Sequence, residues 1–111
     1  MGKMQQRKGA DGEKELASIL NEYGYPCERG GSMTYGTVPD IVGLPGIHIE
    51  CKRVERLDLP AAIEQATRDA ERFRDGKPAV FHRKNRGKWL VTMTLSQWMT
   101  LYKESRQVMN R

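Results

Sequence analysis

The sequence predicts an α/β fold, with a central mixed β-sheet flanked by α-helices in the order α, β, β, β, α, β, β, α. Two segments, Leu16 to Tyr23 and Leu59 to Phe73, repeat apolar residues at three- and four-residue spacing. Short β-branched runs fill the intervals, and two of them flank Pro45-Gly46, a dipeptide suited to a tight turn. A length of 111 residues fits one domain, expected to span 1–111.

The first seven residues are polar and are expected to be loose. A helix should follow, with Leu16, Ile19, Leu20 and Tyr23 as its apolar stripe, Asp11 as N-cap and Gly24 as its stop. Glu13 then falls in the first turn, where a carboxylate suits the helix dipole. Tyr25 to Arg29 reads as a short strand, and the glycine-rich stretch through Thr37 as a polar loop. Val38 to Leu44 and Ile47 to Val54 form a predicted hairpin. In its second strand Ile47, Ile49 and Cys51 share one face, and His48, Glu50, Lys52 and Val54 the other. A turn about position 45 sets Asp40 across from Glu50. Asp58 can cap a second helix with Pro60 near its start, and Gly76 and Pro78 end it. Ala79 to Phe81 and Trp89 to Thr94 read as strands joined by the basic link His82 to Lys88. Ser96 caps a last helix through about Lys103.

Composition narrows the function class. The chain is 38% hydrophobic and 30% charged, a balance that excludes membrane and disordered classes. Its net charge of +5 favours a polyanionic partner. The N-terminus has no apolar signal region, no run approaches transmembrane length, and Gln6 breaks the myristoylation pattern. Cys27 and Cys51 make neither a disulfide framework nor a zinc signature. They read as reduced thiols in a cytoplasmic protein with no membrane partner.

The order Pro39-Asp40, then Glu50-Cys51-Lys52, carries chemistry. Hydrolysis of a phosphodiester needs a hard cation, an activated water and relief of charge on the transition state. Mg²⁺ takes oxygen ligands and keeps several waters, so one or two carboxylates suffice. Asp40 and Glu50 can supply those oxygens, and the Cys51 backbone carbonyl is a candidate third ligand. Lys52, on the same face as Glu50, can orient the attacking water or offset phosphoryl charge. Glu13 is the candidate fourth member, aimed from a helix packed beside the hairpin. Glu and Lys alternating on a strand ordinarily mark a solvated face. The conjunction with Pro39-Asp40 and a helical Glu favours the catalytic reading.

The motif resembles that of the PD-(D/E)xK nuclease superfamily. The ordered set Arg7-Lys8-Gly9, Glu13-Lys14-Glu15-Leu16, Gly24-Tyr25, Arg29-Gly30-Gly31-Ser32, Pro39-Asp40-Ile41-Val42 and Ile49-Glu50-Cys51-Lys52 is similar to archaeal-type Holliday-junction resolvases and their phage relatives. The resemblance implies a restriction-endonuclease-like core. It implies catalytic positions at Glu13, Asp40, Glu50 and Lys52, and Mg²⁺ as cofactor with Mn²⁺ able to substitute. It also implies a DNA-contacting loop at Arg29, Gly30, Gly31 and Ser32, a basic N-terminal segment at Arg7 and Lys8, and a homodimer with two sites facing a four-way junction. Three departures stand out: Lys14 replaces an arginine, the loop from Ser32 to Pro39 is longer, and the second half matches poorly, so the family's dimer surface does not transfer. Phe81 to Asn85 with Trp89-Leu90-Val91 looks more like small phage-encoded nucleases, which implies a phage origin and a place in the host cytoplasm.

Other residues keep two readings. Arg83, Lys84, Arg86 and Lys88 make either a phosphate-contacting hairpin tip or a solvated turn. Some nucleases of the superfamily place a Gln near the site where Gln65 falls, though an exposed helical Gln is common. His48 is a rim or structural residue, and Trp89 and Trp98 are core or interface. The leading function is a structure-selective DNA endonuclease acting on four-way junctions. The alternatives are a nickase or restriction-like endonuclease, and a non-catalytic DNA-binding module.

Overall fold

The computed structural model describes residues 2–30 and 38–109, with side chains over 9–30 and 38–108. The elements are α1 (Gly2–Glu22), β1 (Glu28–Arg29), β2 (Ile41–Val42), β3 (Ile47–Arg53), α2 (Leu59–Phe73), β4 (Lys77–Arg83), β5 (Leu90–Thr92) and α3 (Leu95–Met109). The predicted order holds throughout. One five-stranded sheet runs β1-β2-β3-β4-β5. Its β3–β4 pair is parallel and the other pairs are antiparallel, so the sheet is mixed. The parallel pair needs a crossover, and α2 supplies it.

Several boundaries differ from the sequence expectation. The first helix starts at Gly2, so residues 2–7 are helical and Asp11 lies mid-helix on an exposed turn instead of capping it. Lys, Met, Gln and Arg there are good helix formers and nothing before Asp11 forbids a longer helix. The stop is as expected. Gly24, at φ 101°, donates to the Asn21 carbonyl at 2.9 Å, and Tyr25 donates to Leu20 at 3.1 Å. Those two bonds close the last turn in a Schellman motif. Strand β1 contracts to two residues, since Pro26 has no N–H to give a ladder.

Asp58 caps α2 as expected, accepting from Ala61 N at 3.1 Å. The helix ends before Gly76, at Arg74, which takes the left-handed conformation and donates to Ala70 O at 2.8 Å. Pro78 therefore lies inside β4, which begins at Lys77 and absorbs part of the predicted basic link. Strand β5 pairs only with Val80 to His82, so the Pro78 end of β4 has no ladder partner on that side among the described residues. Thr94, not Ser96, caps α3, accepting from Gln97 N at 3.3 Å. With no glycine or proline after Lys103, the helix runs on to Met109.

Helix α1 covers one face of the sheet, where Leu16 and Ala17 pack with Cys27, Ile41, Ile49, Ala79 and Phe81. Helix α2 covers the other through Ala62 and Ala66 on Val80. Each large apolar side chain so buried contributes about 1.5–3 kcal/mol. The small alanine face lets α2 approach β4 closely. Strand β3 is thus covered on both sides, and its polar face points into the molecule. Helix α3 stands apart, joined to β4 by an exposed Lys77–Glu104 ion pair at 3.2 Å.

Candidate active site

Pro45-Gly46 sets the geometry of the site. Gly46 has φ 85° and Ile47 N donates to Leu44 O at 3.3 Å, a turn with proline and glycine where a type II turn needs them. The turn fixes the register at Ile41 opposite Ile49, and one step further sets Asp40 opposite Glu50. Asp40 Oδ2 accepts from the Cys51 backbone N–H at 3.0 Å, which ties the carboxylate to β3. Gly30 braces the other side. Its N–H donates to Asp40 O at 2.9 Å, and a Cβ on Gly30 would lie 1.8 Å from the Pro39 carbonyl oxygen. Only glycine fits there.

Glu50 is 3% exposed. Its Oε2 lies 3.8 Å from Lys52 Nζ, which donates to Gln65 Oε1 on α2 at 3.0 Å. Gln65 therefore holds the Lys52 ammonium beside the two carboxylates. Glu13 reaches the group from α1, half-buried, with its Oε2 3.5 Å from Arg29 Nε on β1. Burial raises the Glu13 pKa, while Arg29 lowers it and Glu50 raises it. Burial, then the Glu50 charge, push Asp40 up to about 7 against the Cys51 hydrogen bond, with Glu13 adding to the rise.

Three carboxylates gathered in a poorly hydrated place, two of them, Asp40 and Glu13, raised by burial and by the Glu50 charge, fit a hard divalent cation. The oxygens that could hold one are those of Asp40 and Glu50, the Cys51 carbonyl, and Glu13. The Cys51 thiol offers nothing, since burial and the surrounding carboxylates push it far up and keep it neutral. A second grouping lies behind this one: single ligand atoms of His48, Glu50 and Asp69 fall within 4.8 Å of one another.

The basic residues divide. Arg7 and Lys8 lie on the α1 backbone, their side chains outside the described residues, as are Gly31 and Ser32. Arg29 sits on a strand and faces Glu13 instead of solvent. Arg83 is held by Glu15 through Nε at 2.7 Å and a second nitrogen at 2.8 Å, a bidentate pair that leaves it little freedom to reach a phosphate. Lys84 and Arg86 are exposed on the following turn. A cavity of about 710 Å³ opens beside that turn, lined by Arg56, Leu57, His82, Lys84, Lys88 and Leu90 among others. It does not include Asp40, Glu50 or Lys52, so the chemistry and this cavity are separate.

Three residues carry more here than their sequence context suggests. Glu15 accepts from Arg83 and, at 2.7 Å, from Trp89 Nε1, which ties α1 to the β4–β5 turn. His48 is buried at 1% exposure between Glu50 and Asp75. The Asp75 contact spans 27 positions in sequence, and no local pattern announces it.

The family model of archaeal Holliday junction resolvases (hjc) matches residues 4–109. No significant match exists among curated protein sequences. Among solved structures, that of Archaeoglobus fulgidus Hjc, a Holliday junction resolvase from an archaeal hyperthermophile, is similar with a TM-score of 0.55. The two are 24% identical, and the likeness covers 74% of each chain. At that identity the likeness speaks for the fold alone.

Proposed function

This chain belongs to the archaeal Holliday junction resolvase family, and we propose that it is a Mg²⁺-dependent endonuclease that nicks opposed strands of a four-way DNA junction as a homodimer. The observation that carries the reading is the opposition of Asp40 and Glu50 across the β2–β3 hairpin, with Lys52 held beside them by Gln65. In this reading one nuclease domain carries the whole site.

Asp40, Glu50 and the Cys51 carbonyl would hold the cation, with Glu13 at the same centre. When bound, Mg²⁺ supplies charge neutralisation on the phosphate and acidifies the attacking water, and Mn²⁺ can substitute. Lys52 presents its ammonium to the phosphoryl oxygens, where charge builds in the transition state. Gln65 fixes that ammonium in place beside Glu50. Lys84 and Arg86, with Arg7, Lys8 and the Arg29 to Ser32 segment, contact the DNA backbone, which positions the substrate without reading bases. Arg83 serves this set by anchoring the turn through Glu15.

The homodimer reading draws support from α3. Leu95, Trp98, Leu101 and Tyr102 are exposed on α3, and Trp98 stacks on Tyr102 at 5.3 Å. A twofold dimer would present two equivalent sites to a roughly twofold junction. The archaeal family model matches the second half too, through residue 109, where a poor match was expected; a phage source and action in the host cytoplasm rest on the resemblance of Phe81 to Asn85 and Trp89-Leu90-Val91 alone. No helix among the described residues is long and apolar enough to cross a membrane.

The test offers the protein a labelled four-way junction and a linear duplex of matched arms, each with Mg²⁺ or EDTA. Paired nicks in the junction alone, only with Mg²⁺, are expected. Equal cutting of both would replace the junction enzyme with a less selective endonuclease. Binding without cutting of either would leave a DNA-binding module.

A further inference from the structure

We propose that His48 and Asp75 form a positioning relay that holds the Glu50 carboxylate in place for its cation. The proposal rests on the ligand reading of Glu50 given above. His48 Nδ1 lies 2.9 Å from both carboxylate oxygens of Asp75, so it donates to that group and the ring plane is fixed. The opposite nitrogen, Nε2, faces Glu50 Oε1 at 3.5 Å. Phe73 stacks against the imidazole, centroids 6.3 Å apart and planes 18° apart, which closes off ring rotation. Glu50 is thereby flanked on Oε1 by His48 and on Oε2 by Lys52.

Stability does not explain this set. Position 48 lies in a strand covered on both faces, where apolar residues are the rule. A histidine and two carboxylates in place of well-packed apolar side chains are neutral to unfavourable for folding. The ring is tied to Asp75 by the short contact and faces Glu50 by the long one. Partners behind a metal ligand act in this way, and losing one weakens metal affinity or activity by about 10–100-fold. Asp75 sits where α2 gives way to β4, so the crossover connection itself supports the site.

The experiment compares wild type with Asp75→Ala, Asp75→Asn, His48→Gln and Glu50→Gln. Mn²⁺ binding to the protein alone is followed by electron paramagnetic resonance. Junction cleavage is followed as a function of Mg²⁺, junction affinity in EDTA, and melting temperature in EDTA. Asp75→Ala is expected to weaken Mn²⁺ binding and raise the half-saturating Mg²⁺ by about tenfold, with junction affinity in EDTA unchanged. Asp75→Asn keeps an acceptor for the imidazole and should recover most of the loss. His48→Gln keeps a polar group beside Glu50 and should fall between. Wild-type metal affinity and Mg²⁺ dependence in all Asp75 and His48 variants, whatever their melting temperatures, would overturn the relay. Undiminished Mn²⁺ binding by Glu50→Gln would instead overturn the ligand reading of Glu50, and the relay with it.

Discussion

Replacing Asp40 by asparagine should stabilise the metal-free protein while it removes cleavage. The Asp40 pKa lies at about 7, against an ordinary 3.8, because burial and the Glu50 carboxylate disfavour its ionised form. Between those values the folded chain holds a proton that the unfolded chain has released, so metal-free stability falls as pH rises from about 4 to about 7. At about 1.36 kcal/mol for each pKa unit, the upper bound on this destabilisation at pH 8 is about 4 kcal/mol. Asparagine carries no charge, and its side-chain oxygen can still accept from Cys51 N. Relaxation and water entry reduce the bound, so a gain of about 1–3 kcal/mol is expected in EDTA at pH 8, read as a melting-temperature rise of at least about 4 °C. The gap should narrow with falling pH and close near pH 4. Adding Mg²⁺ should raise the wild-type melting temperature more than the variant's, since only the wild type keeps the full ligand charge. A variant that melts at or below wild type at pH 8 in EDTA, or a gap that ignores pH, would refute the reasoning.

Glu15→Ala should destabilise the fold by about 1–3 kcal/mol, because Arg83 and Trp89 lose their shared acceptor. Thermal melting reads this, and the half-saturating Mg²⁺ should stay as in wild type. Gly30→Ala forces its Cβ into the Pro39 carbonyl and should shift the segment that carries Asp40. Single-turnover junction cleavage should drop at least about tenfold, since misplacing a reacting group by about 1 Å can reduce rate far more than that. Lys84→Ala with Arg86→Ala should flatten the salt dependence of junction binding by up to about 0.9 in log slope for each phosphate no longer neutralised. A slope equal to wild type would remove both residues from the DNA surface.

Local chemistry made the centre of the molecule legible in sequence. Pro45-Gly46 dictates a turn of known length, and period-two alternation then places Asp40 across from Glu50 without any long-range information. The Asp58 cap and the Gly24 stop are local in the same sense. What sequence did not reveal is what tertiary contact decides. Asp11 has the chemistry of a cap, yet the helix runs past it, since an exposed aspartate mid-helix costs only about 0.7 kcal/mol or less. Pro78 reads as a helix stop and is instead accommodated at the unpaired end of β4. Alternation sets His48, Glu50 and Lys52 on one face of β3, but only the fold shows α2 lying over that face. Arg83 reads as a free cation, and its partner lies on α1, 68 positions away. The contact between His48 and Asp75 likewise depends on the parallel crossover bringing the end of α2 beside the start of β3.

The central claim is that the face built from Asp40, Glu50 and Lys52 is a metal-dependent cutting centre, and strand cleavage at equal occupancy tests it most directly. A labelled four-way junction is saturated with wild type, Asp40→Asn or Lys52→Ala in EDTA, and cleavage is started with Mg²⁺. Symmetric paired nicks by wild type, and none above background by either variant although each holds the junction, are the expected result. Cleavage at the wild-type rate by Asp40→Asn would contradict the account, because no carboxylate that holds the cation can lose its charge without consequence.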